Sequence, residues 1–319
     1  MSTYINPKIV VVIPAYNEEL TITSVIEAFH VQLPEAIICV VDNNSKDKTS
    51  ANTLECFAKL SLQADKGILF KETRQGKGYA VKKAFYHLDA DIFLMVDADL
   101  TYPAHLVHKL IAPVLDGTAD MVIGDRHSHG NYVQQNNRKF HNFGNNLVKK
   151  LINILFNAHL HDILSGYRCF SKDFVKNYPI LSKGFEIETE MTLHALGKDY
   201  RVLEIPIEYV ERPPGSFSKL NTLSDGFKVI KTVGWIFKDY RPLAFFWFLS
   251  LVLFVFGIAI GTPVIIEFIR YKYVYRVPSA ILSTGFIIIG FLSFTIGVIL
   301  DTVVKIDKRN FEEKKIKFR

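Results

Sequence analysis

Cysteine is scarce in this sequence, and residue types that build metal clusters are not grouped. The 319 residues include three cysteines, at the widely separated positions Cys39, Cys56 and Cys169. This odd, scattered set argues against a disulfide framework or a cysteine-based metal site, and it is typical of a reducing compartment. The ten histidines show no metal-ligand spacing, and we interpret His127 and His129 as surface residues.

The N-terminal stretch lacks the pattern of a secretory signal. Its short apolar run meets Pro14 and then acidic residues, with no cleavage-like site. We therefore expect the N-terminal domain to stay in the cytoplasm. The sequence also has no internal repeat, low-complexity tract or long linker, which excludes repeat architectures.

Long apolar runs are confined to the C-terminal part of the chain. They cover Leu243–Ile269 and Ser279–Leu300. About 20 apolar residues cross roughly 30 Å of hydrocarbon, whereas apolar runs of about 10–14 residues are more often buried core helices. The two runs therefore predict a hairpin of two transmembrane helices rather than two core helices.

Positive charge is concentrated beside these two runs. Four basic residues precede the first run, at Lys228, Lys231, Lys238 and Arg241, and seven follow the second between Lys305 and Arg319. The connection between the runs holds only Arg270, Lys272 and Arg276. The positive-inside rule then predicts that both termini are cytoplasmic. We assign the net charge of +6 to contact with anionic headgroups rather than with nucleic acid.

The chain is expected to have four parts. Residues 1–223 are expected to form an α/β domain large enough for an enzyme. Residues 224–242 would form a juxtamembrane helix, 243–304 the two spans, and 305–319 a basic cytoplasmic tail. Apolar and lysine residues alternate with helical spacing between 224 and 240, which predicts an amphipathic helix at the membrane surface, or one packed on the domain.

Strands and helices alternate over the first 125 residues. The predicted strands are the apolar runs "KIVVVIP", "AIICVVD", "GILFKE", "DIFLMVD" and "DMVIGDR". Near-continuous apolar strands separated by helices predict a mostly parallel sheet covered on both faces. Beyond residue 130 we expect helices at 142–156 and in "GFEIETEMTLHAL", and an extended segment or strand pair broken at Pro206.

Polar residues follow four of these strands, and ligands of parallel sheets bind at that edge. Asp97 and Asp99 end the fourth strand, and residues i and i+2 of an extended chain point to the same side. Two adjacent carboxylates repel each other unless a cation binds them, and Mg²⁺ takes one or two carboxylates together with substrate phosphates. Alone, the pattern is more typical of a solvated turn.

Several motifs together resemble the family-2 glycosyltransferases, which have the Rossmann-like GT-A fold. They are "VVIPAYNEE", "VVDNNSKDKT", "RQGKGYAVKKA", "VDADLTYP", "IGDR" and "DILSGYRCF", in the order of that family over residues 9–170. The later pieces "GFEIETEM" and "RPPGSFSKL" and the two apolar runs resemble the polyprenyl-phosphate sugar transferases of the dolichyl-phosphate mannose synthase type. The resemblance covers nearly the whole chain.

The resemblance implies a role for each matching residue. The nucleotide-sugar set comprises Pro14, Tyr16, Glu18, Asp42, Asn43, Lys77, Asp97, Ala98, Arg212 and Lys219. Asp97 and Asp99 would hold Mg²⁺ or Mn²⁺, and Ser218 would join Arg212 and Lys219 in a lid. Asn43 stands where the family usually has a second acid, which leaves the choice between uridine and guanosine open.

The remaining assignments concern catalysis and the acceptor. Asp99, Asp162 and Arg126 are the catalytic set, and Arg138, Ser165 and Arg168 would meet the acceptor phosphate. Glu188 and Glu190 either help ligate or position arginines, or lie on a solvated helix face.

The function expected is metal-dependent, inverting transfer of one sugar to polyprenyl phosphate at the cytoplasmic face of the membrane. The donor would be UDP-glucose or a similar UDP-hexose, or GDP-mannose. One alternative acceptor is a hydroxyl of a glycolipid or polysaccharide, for which Asp162 would be a general base. Another alternative is a non-catalytic scaffold that binds sugar nucleotides. Gly257 and Gly261 could pack the two spans together, join subunits of a homo-oligomer, or simply face lipid.

Overall fold

The chain divides into two compact units, which cover residues 1–225 and 226–319. The computed structural model describes residues 6–128, 139–184, 186–210, 234–235 and 237–317. The boundary lies two residues beyond the predicted end of the α/β domain. Of the expected juxtamembrane helix, residues 234–235 and 237–240 are described, and they are helical.

The first unit is built on one seven-stranded sheet in the order β3-β2-β1-β4-β6-β5-β7. The strands are β1 Ile9–Ala15, β2 Ile37–Asp42, β3 Gly67–Lys71, β4 Ile92–Met95, β5 Met121–Asp125, β6 Arg168–Ser171 and β7 Val202–Pro206. β6 runs antiparallel to both of its neighbours, and the other pairings are parallel. The prediction of a mostly parallel sheet is confirmed, and six strands end at the same edge.

Helices cover the sheet, as their apolar spacing predicts. They are α1 Ile22–Gln32, α2 Thr49–Lys59, α3 Lys77–His87, α4 Val107–Leu115, α5 Lys139–Phe156, α6 Lys172–Asn177 and α7 Ile187–Gly197, with a 3-10 turn at Ala104–Leu106. In α1 the side chains of Ile22, Val25, Ile26 and Phe29 are at most 2% exposed, because spacings of three and four place them on one face.

The segment expected to be a strand pair or an extended run broken at Pro206 contains one strand, β7, which ends at Pro206 and agrees with the second alternative. One element differs from the sequence expectation. This is β6, which begins within the "DILSGYRCF" motif and inserts between β4 and β5. Its four residues are too few to show a periodicity, so only the pairing with both neighbours identifies it as a strand.

The second unit contains two long apolar helices, α8 Pro242–Tyr271 and α9 Val277–Lys317. Both are long and apolar enough to cross a membrane. Only 11% of the most apolar window of α8 and 17% of that of α9 are buried, which is unlike the core helices of a soluble protein.

Small residues allow α8 and α9 to pack closely. A Cβ atom on Gly257 would lie 2.8 Å from Ile287, and one on Gly261 would lie 2.5 Å from the Ser283 hydroxyl. That hydroxyl also donates a 2.7 Å hydrogen bond to the Gly257 carbonyl oxygen. The glycine pair therefore serves packing between the two helices of one chain, the first of the three alternatives.

Candidate active site

The loops after β1 and β2 are tied together at the carboxyl edge of the sheet. The amide of Asn17 donates to the Ser45 hydroxyl at 3.0 Å, and the Asn17 side chain accepts from the Lys46 amide at 2.8 Å. The Glu18 amide donates to Thr49 Oγ1 at 2.8 Å. Because β1 and β2 are neighbours, this edge brings the predicted nucleotide residues Pro14, Tyr16 and Glu18 next to Asp42 and Asn43.

Asp42 and Asn43 are nearly inaccessible, at 6% and 3% exposure, and both bind main chain. Asp42 accepts from the Ser45 amide at 2.9 Å. The Asn43 side chain donates to the Arg74 carbonyl oxygen and accepts from the Gly76 amide, each at 2.7 Å. An aspartate could accept from Gly76 but could not donate to a carbonyl oxygen. The amide at this position is thus explained by its contact with the loop before α3.

That loop is held by a second buried acid, Glu72, which is 5% exposed. The Arg74 guanidinium forms two hydrogen bonds to its carboxylate, both 2.9 Å long. Hydrogen bonds from Arg74 lower the pKa of Glu72 to about 2, although burial acts in the opposite direction. The Arg74 guanidinium also lies 4.6 Å from the centre of the Tyr79 ring.

The "GKG" motif brings two backbones into close approach. A Cβ atom on Gly78 would lie 2.1 Å from the Ser182 carbonyl oxygen, and one on Gly76 would lie 2.0 Å from that of Lys183. Gly76 also has φ 140°, a conformation that side-chain-bearing residues rarely adopt. The glycines therefore let the start of α3 pack against residues 182–183, with Lys77 between them.

Lys77 bridges two acids from different parts of the chain. Its ammonium group donates to the carboxylates of Asp97 and Glu188, and only 7% of its side chain is exposed. Burial alone would lower the pKa of Lys77, but the two carboxylates outweigh burial and raise it. Lys77 therefore stays charged, and three elements of the fold meet at one ammonium group.

The two aspartates after β4 have different surroundings. Asp97 keeps 28% of its side chain exposed, and a Cβ atom on Gly166 would lie 2.4 Å from its Oδ2, so the glycine makes room for the carboxylate. Asp99 is 4% exposed and accepts from the amide and hydroxyl of Thr101 at 3.2 and 2.6 Å. Leu100, which lies between Asp99 and Thr101, has φ 60°, an unfavourable backbone angle for leucine that the Asp99–Thr101 contacts maintain.

This corner of the site suits a divalent cation. Carboxylate oxygens are the ligands that Mg²⁺ and Mn²⁺ prefer. Lys77 contacts the carboxylates of Asp97 and Glu188, and Asp99 adds a third carboxylate after β4, so carboxylates outnumber this ammonium group. The residues that would hold the cation are Asp97 and Asp99, and their donor chemistry fits it.

Arg126 and Asp162 form a second charged centre, at the end of β5. The guanidinium donates to both carboxylate oxygens, at 2.6 and 2.9 Å, and the Arg126 amide adds a bond of 3.1 Å. Asp162 is 1% exposed in its side chain, which by itself would raise its pKa, but Arg126 lowers that pKa below its ordinary value. Asp162 is consequently ionised, and both of its carboxylate oxygens accept hydrogen bonds from Arg126.

One loop links this centre to the carboxylate pair. It starts at Asp162 and reaches Gly166, whose amide donates to the Tyr102 hydroxyl at 2.8 Å and whose Cα faces Asp97. The predicted catalytic residues Asp99, Arg126 and Asp162 thus lie around neighbouring strands β4, β6 and β5.

Two residues assigned to the acceptor phosphate point into the protein. Ser165 and Arg168 are 0% exposed. The Arg168 guanidinium donates to the carbonyl oxygens of Ser165 and Ile163 at 2.8 and 2.7 Å, and to Thr192 Oγ1 at 2.9 Å. Both residues shape the loop from inside the protein, and their assignment to the acceptor phosphate stays a prediction.

The acids of α7 are not on a solvated face. Glu188 and Glu190 are 4% and 5% exposed. Glu188 binds Lys77, and Glu190 accepts from the amides of Leu181 and Ser182 at 3.0 and 2.7 Å. Their contacts are with a lysine and with main chain, rather than with the arginines expected from the sequence.

Four predicted residues, Arg138, Arg212, Ser218 and Lys219, lie outside the described residues. Conversely, the structure adds Glu204 and Thr101, which sequence reasoning did not select. Glu204 stands in an otherwise apolar strand, "VLEIP", and an acid at such a position was the available signal.

Glu204 also belongs to the one metal-like cluster found among the described residues. Ligand atoms of Asp125, His161 and Glu204 lie within 4.8 Å of one another. The Glu204 carboxylate accepts from the amides of His161 and Asp162, each at 2.7 Å. These donors already account for the position of the carboxylate, so we do not assign a cation there.

Comparison with known proteins agrees with the fold. The model of Glycosyl transferase family 2 matches residues 10–178. Glycosyltransferase AglJ of Haloferax volcanii is 27% identical over 304 residues, which cover 94% of each chain. Undecaprenyl-phosphate mannosyltransferase of Micrococcus luteus is 28% identical over 238 residues, 72% of this chain and 93% of that protein.

Among solved structures, glucosyl-3-phosphoglycerate synthase from Mycobacterium tuberculosis, in complex with Mn²⁺, UDP and glucosyl-3-phosphoglycerate, is similar to this chain. The TM-score is 0.56 at 20% identity, covering 74% of this chain and 80% of that one. The mostly parallel sheet with its covering helices is therefore that of the GT-A fold. The chain belongs to glycosyl transferase family 2.

Proposed function

We propose that the protein transfers one sugar from a nucleotide diphosphate sugar to polyprenyl phosphate, with inversion at the anomeric carbon. An acceptor phosphate oxygen attacks that carbon, the bond to the diphosphate breaks, and the diphosphate leaves with the electron pair. A divalent cation bound at Asp97 and Asp99 would neutralise charge on the diphosphate. Arg126 supplies positive charge to the same leaving group.

The hydrogen bonds and the lowered pKa of Asp162 indicate which kind of acceptor the site suits. A sugar hydroxyl needs a base to remove its proton, whereas a phosphate is already anionic at neutral pH. Both oxygens of Asp162 are occupied by Arg126, and its pKa is lowered, so it is a poor base. This favours an acceptor that needs no deprotonation over the hydroxyl of a glycolipid or polysaccharide.

The lipid nature of the acceptor is supported by the second unit and by the relatives. Helices α8 and α9 are of membrane-spanning length. The names of similar proteins include an undecaprenyl-phosphate mannosyltransferase and a polyprenol monophosphomannose synthase. We infer that α8 and α9 anchor the enzyme with the catalytic unit and both termini in the cytoplasm, as the distribution of basic residues predicts.

The donor and the cation are each proposed as a small set of candidates. The neighbour glucosyl-3-phosphoglycerate synthase was crystallised with Mn²⁺ and UDP-glucose. For this chain the candidates are UDP-glucose or another UDP-hexose, or GDP-mannose, with Mg²⁺ or Mn²⁺. Pro14, Tyr16, Glu18, Asp42 and the Asn43 region would receive the nucleoside. Arg138, Arg212 and Lys219 keep their proposed phosphate contacts.

The test is a reaction of the full chain in lipid nanodiscs with labelled donor, Mg²⁺ or Mn²⁺, and either polyprenyl phosphate or polyprenol. We expect labelled lipid, identified by mass, only with the phosphate acceptor, and none from Asp99→Ala. Product from polyprenol would overturn the assignment of the acceptor. Absence of product with every donor, or full activity of Asp99→Ala, would overturn the proposed function.

A further inference from the structure

Glu204 is an acid on β7, the edge strand that pairs with β5 beside the second charged centre. Its side chain is 10% exposed, on β7. Its oxygens accept from the His161 amide at 2.7 and 2.9 Å, from the Asp162 amide at 2.7 Å, and from His161 Nδ1 at 3.1 Å. One carboxylate therefore fixes the backbone of two consecutive residues.

Placing a carboxylate here has an energetic cost. Burial, together with the nearby carboxylate of Asp125, raises the pKa of Glu204, while the amides of Asp162 and His161 lower it in part. A neutral glutamine would be easier to bury but offers one acceptor oxygen instead of two, and its NH₂ group would face a donor. The acid is therefore explained by the number of N–H groups that converge on it.

Glu204 fixes the backbone of His161 and Asp162, and the Asp162 carboxylate in turn binds Arg126. Asp162 binds the Arg126 guanidinium through two bonds, and the side chain of Arg126 is 12% exposed. The Arg126 side chain is long and has many rotamers, so the direction of its guanidinium group depends on this partner. The contacts run without a gap from Glu204 through the 161–162 backbone to Arg126.

We propose that Glu204 is a positioning residue that orients Arg126 toward the diphosphate of the donor. The inference rests on the proposed function, because it assumes that Arg126 meets that diphosphate. Glu204 touches no substrate in this scheme and acts only through Asp162.

The experiment compares binding of diphosphate with binding of the nucleoside alone. The full chain in nanodiscs is titrated calorimetrically with UDP and GDP in the presence of Mn²⁺, and with uridine and guanosine. Glu204→Gln should weaken diphosphate binding about tenfold, a loss typical of outer-shell partners, and leave nucleoside binding unchanged. His161→Ala is the matched control, since its side chain is 64% exposed and the backbone amides to Glu204 remain.

A double-mutant cycle ties the effect to Arg126. If Glu204 acts through Arg126, then Arg126→Gln with Glu204→Gln should bind diphosphate no more weakly than Arg126→Gln alone. Wild-type affinity in Glu204→Gln, equal losses for diphosphate and nucleoside, or additive losses in the double variant would overturn the proposal. Should Glu204→Gln fail to fold, Glu204→Asp keeps the charge, shortens the reach, and is judged by the same criteria.

Failure of the proposed function has a separate signature. In that case the wild-type protein forms no labelled lipid with any donor, and if it also binds neither UDP nor GDP, the inference about Glu204 falls with the proposed function. Wild-type binding together with an unaffected Glu204→Gln variant overturns the positioning role alone.

Discussion

Replacing Arg126 by methionine would leave the Asp162 carboxylate buried without its charged partner. The substitution removes two charge-assisted hydrogen bonds, of 2.6 and 2.9 Å. Two weaker donors remain, the amides of residue 126 at 3.1 Å and Leu164 at 3.3 Å. Methionine has a similar length, so the change tests charge more than packing.

The expected loss of stability is about 3 kcal/mol. Removing one partner of a buried ion pair costs roughly 3–5 kcal/mol, and the two remaining amides place this case at the lower end. For a unit of this size, 1 kcal/mol corresponds to about 2–4 °C, so Tm should fall by roughly 6–12 °C at pH 7.

The pH dependence gives the sharper criterion. In the wild-type protein the pKa of Asp162 is lowered, so its contribution is present above the unfolded pKa of about 4 and is lost as pH falls below it. Without Arg126, burial dominates and raises the folded pKa. The loss of unfolding free energy in Arg126→Met then grows as pH rises above about 4, until the pH passes the raised pKa of Asp162 in the folded variant.

The assay is thermal unfolding of both proteins in nanodiscs between pH 4 and pH 8. Arg201→Met is the matched control, because Arg201 makes the same two-bond contact with Asp120 but is 57% exposed. An exposed pair contributes about 0–1 kcal/mol. A difference in Tm that is the same at pH 4 and pH 7, or that is no larger than in Arg201→Met, would refute the reasoning.

Three further changes test other parts of the structure. Gly78→Ala should lower Tm, because its Cβ would lie 2.1 Å from the Ser182 carbonyl oxygen; an unchanged melting curve contradicts that packing. Asn43→Asp should raise the KM for the donor about fivefold, since about 1 kcal/mol is lost with the bond to Arg74, and an unaltered KM would show that this bond is dispensable. Tyr273 lies in the connection between α8 and α9, which the proposed topology places outside, so Tyr273→Cys in intact cells should react with an impermeant maleimide. The three native cysteines are buried and should not react. Labelling only after lysis would reverse the proposed topology.

The sequence selected candidate residues for the site but did not specify their contacts. Strand periodicity predicts Asp97 and Asp99 as a pair, but β4 ends at Met95 and both residues follow it. The partnership of Lys77 with Glu188 does not follow from the sequence, because the two residues are 111 positions apart and meet only when α3 and α7 pack. Arg168 shows the same limit, since a motif specifies an arginine but not whether it faces ligand or interior.

The expected membrane segments and most of the sheet could be predicted for a different reason. Continuous apolar runs and helical spacing are local patterns, and burial acts on them directly. By contrast, β6 is short, and only pairing with both β4 and β5 makes it a strand.

The amino-acid sequence by itself determined the order of strands and helices over the first 125 residues, the apolar helices, and the chemical types that follow these strands, because these depend on local periodicity and residue chemistry. Only the tertiary structure decided which charges neutralise one another. Lys77 is shared by two acids, Asp162 is saturated by Arg126, and Glu204 supports that pair from β7. Such pairings depend on distances between segments remote in sequence, and in a buried site those distances set the charge that a ligand meets.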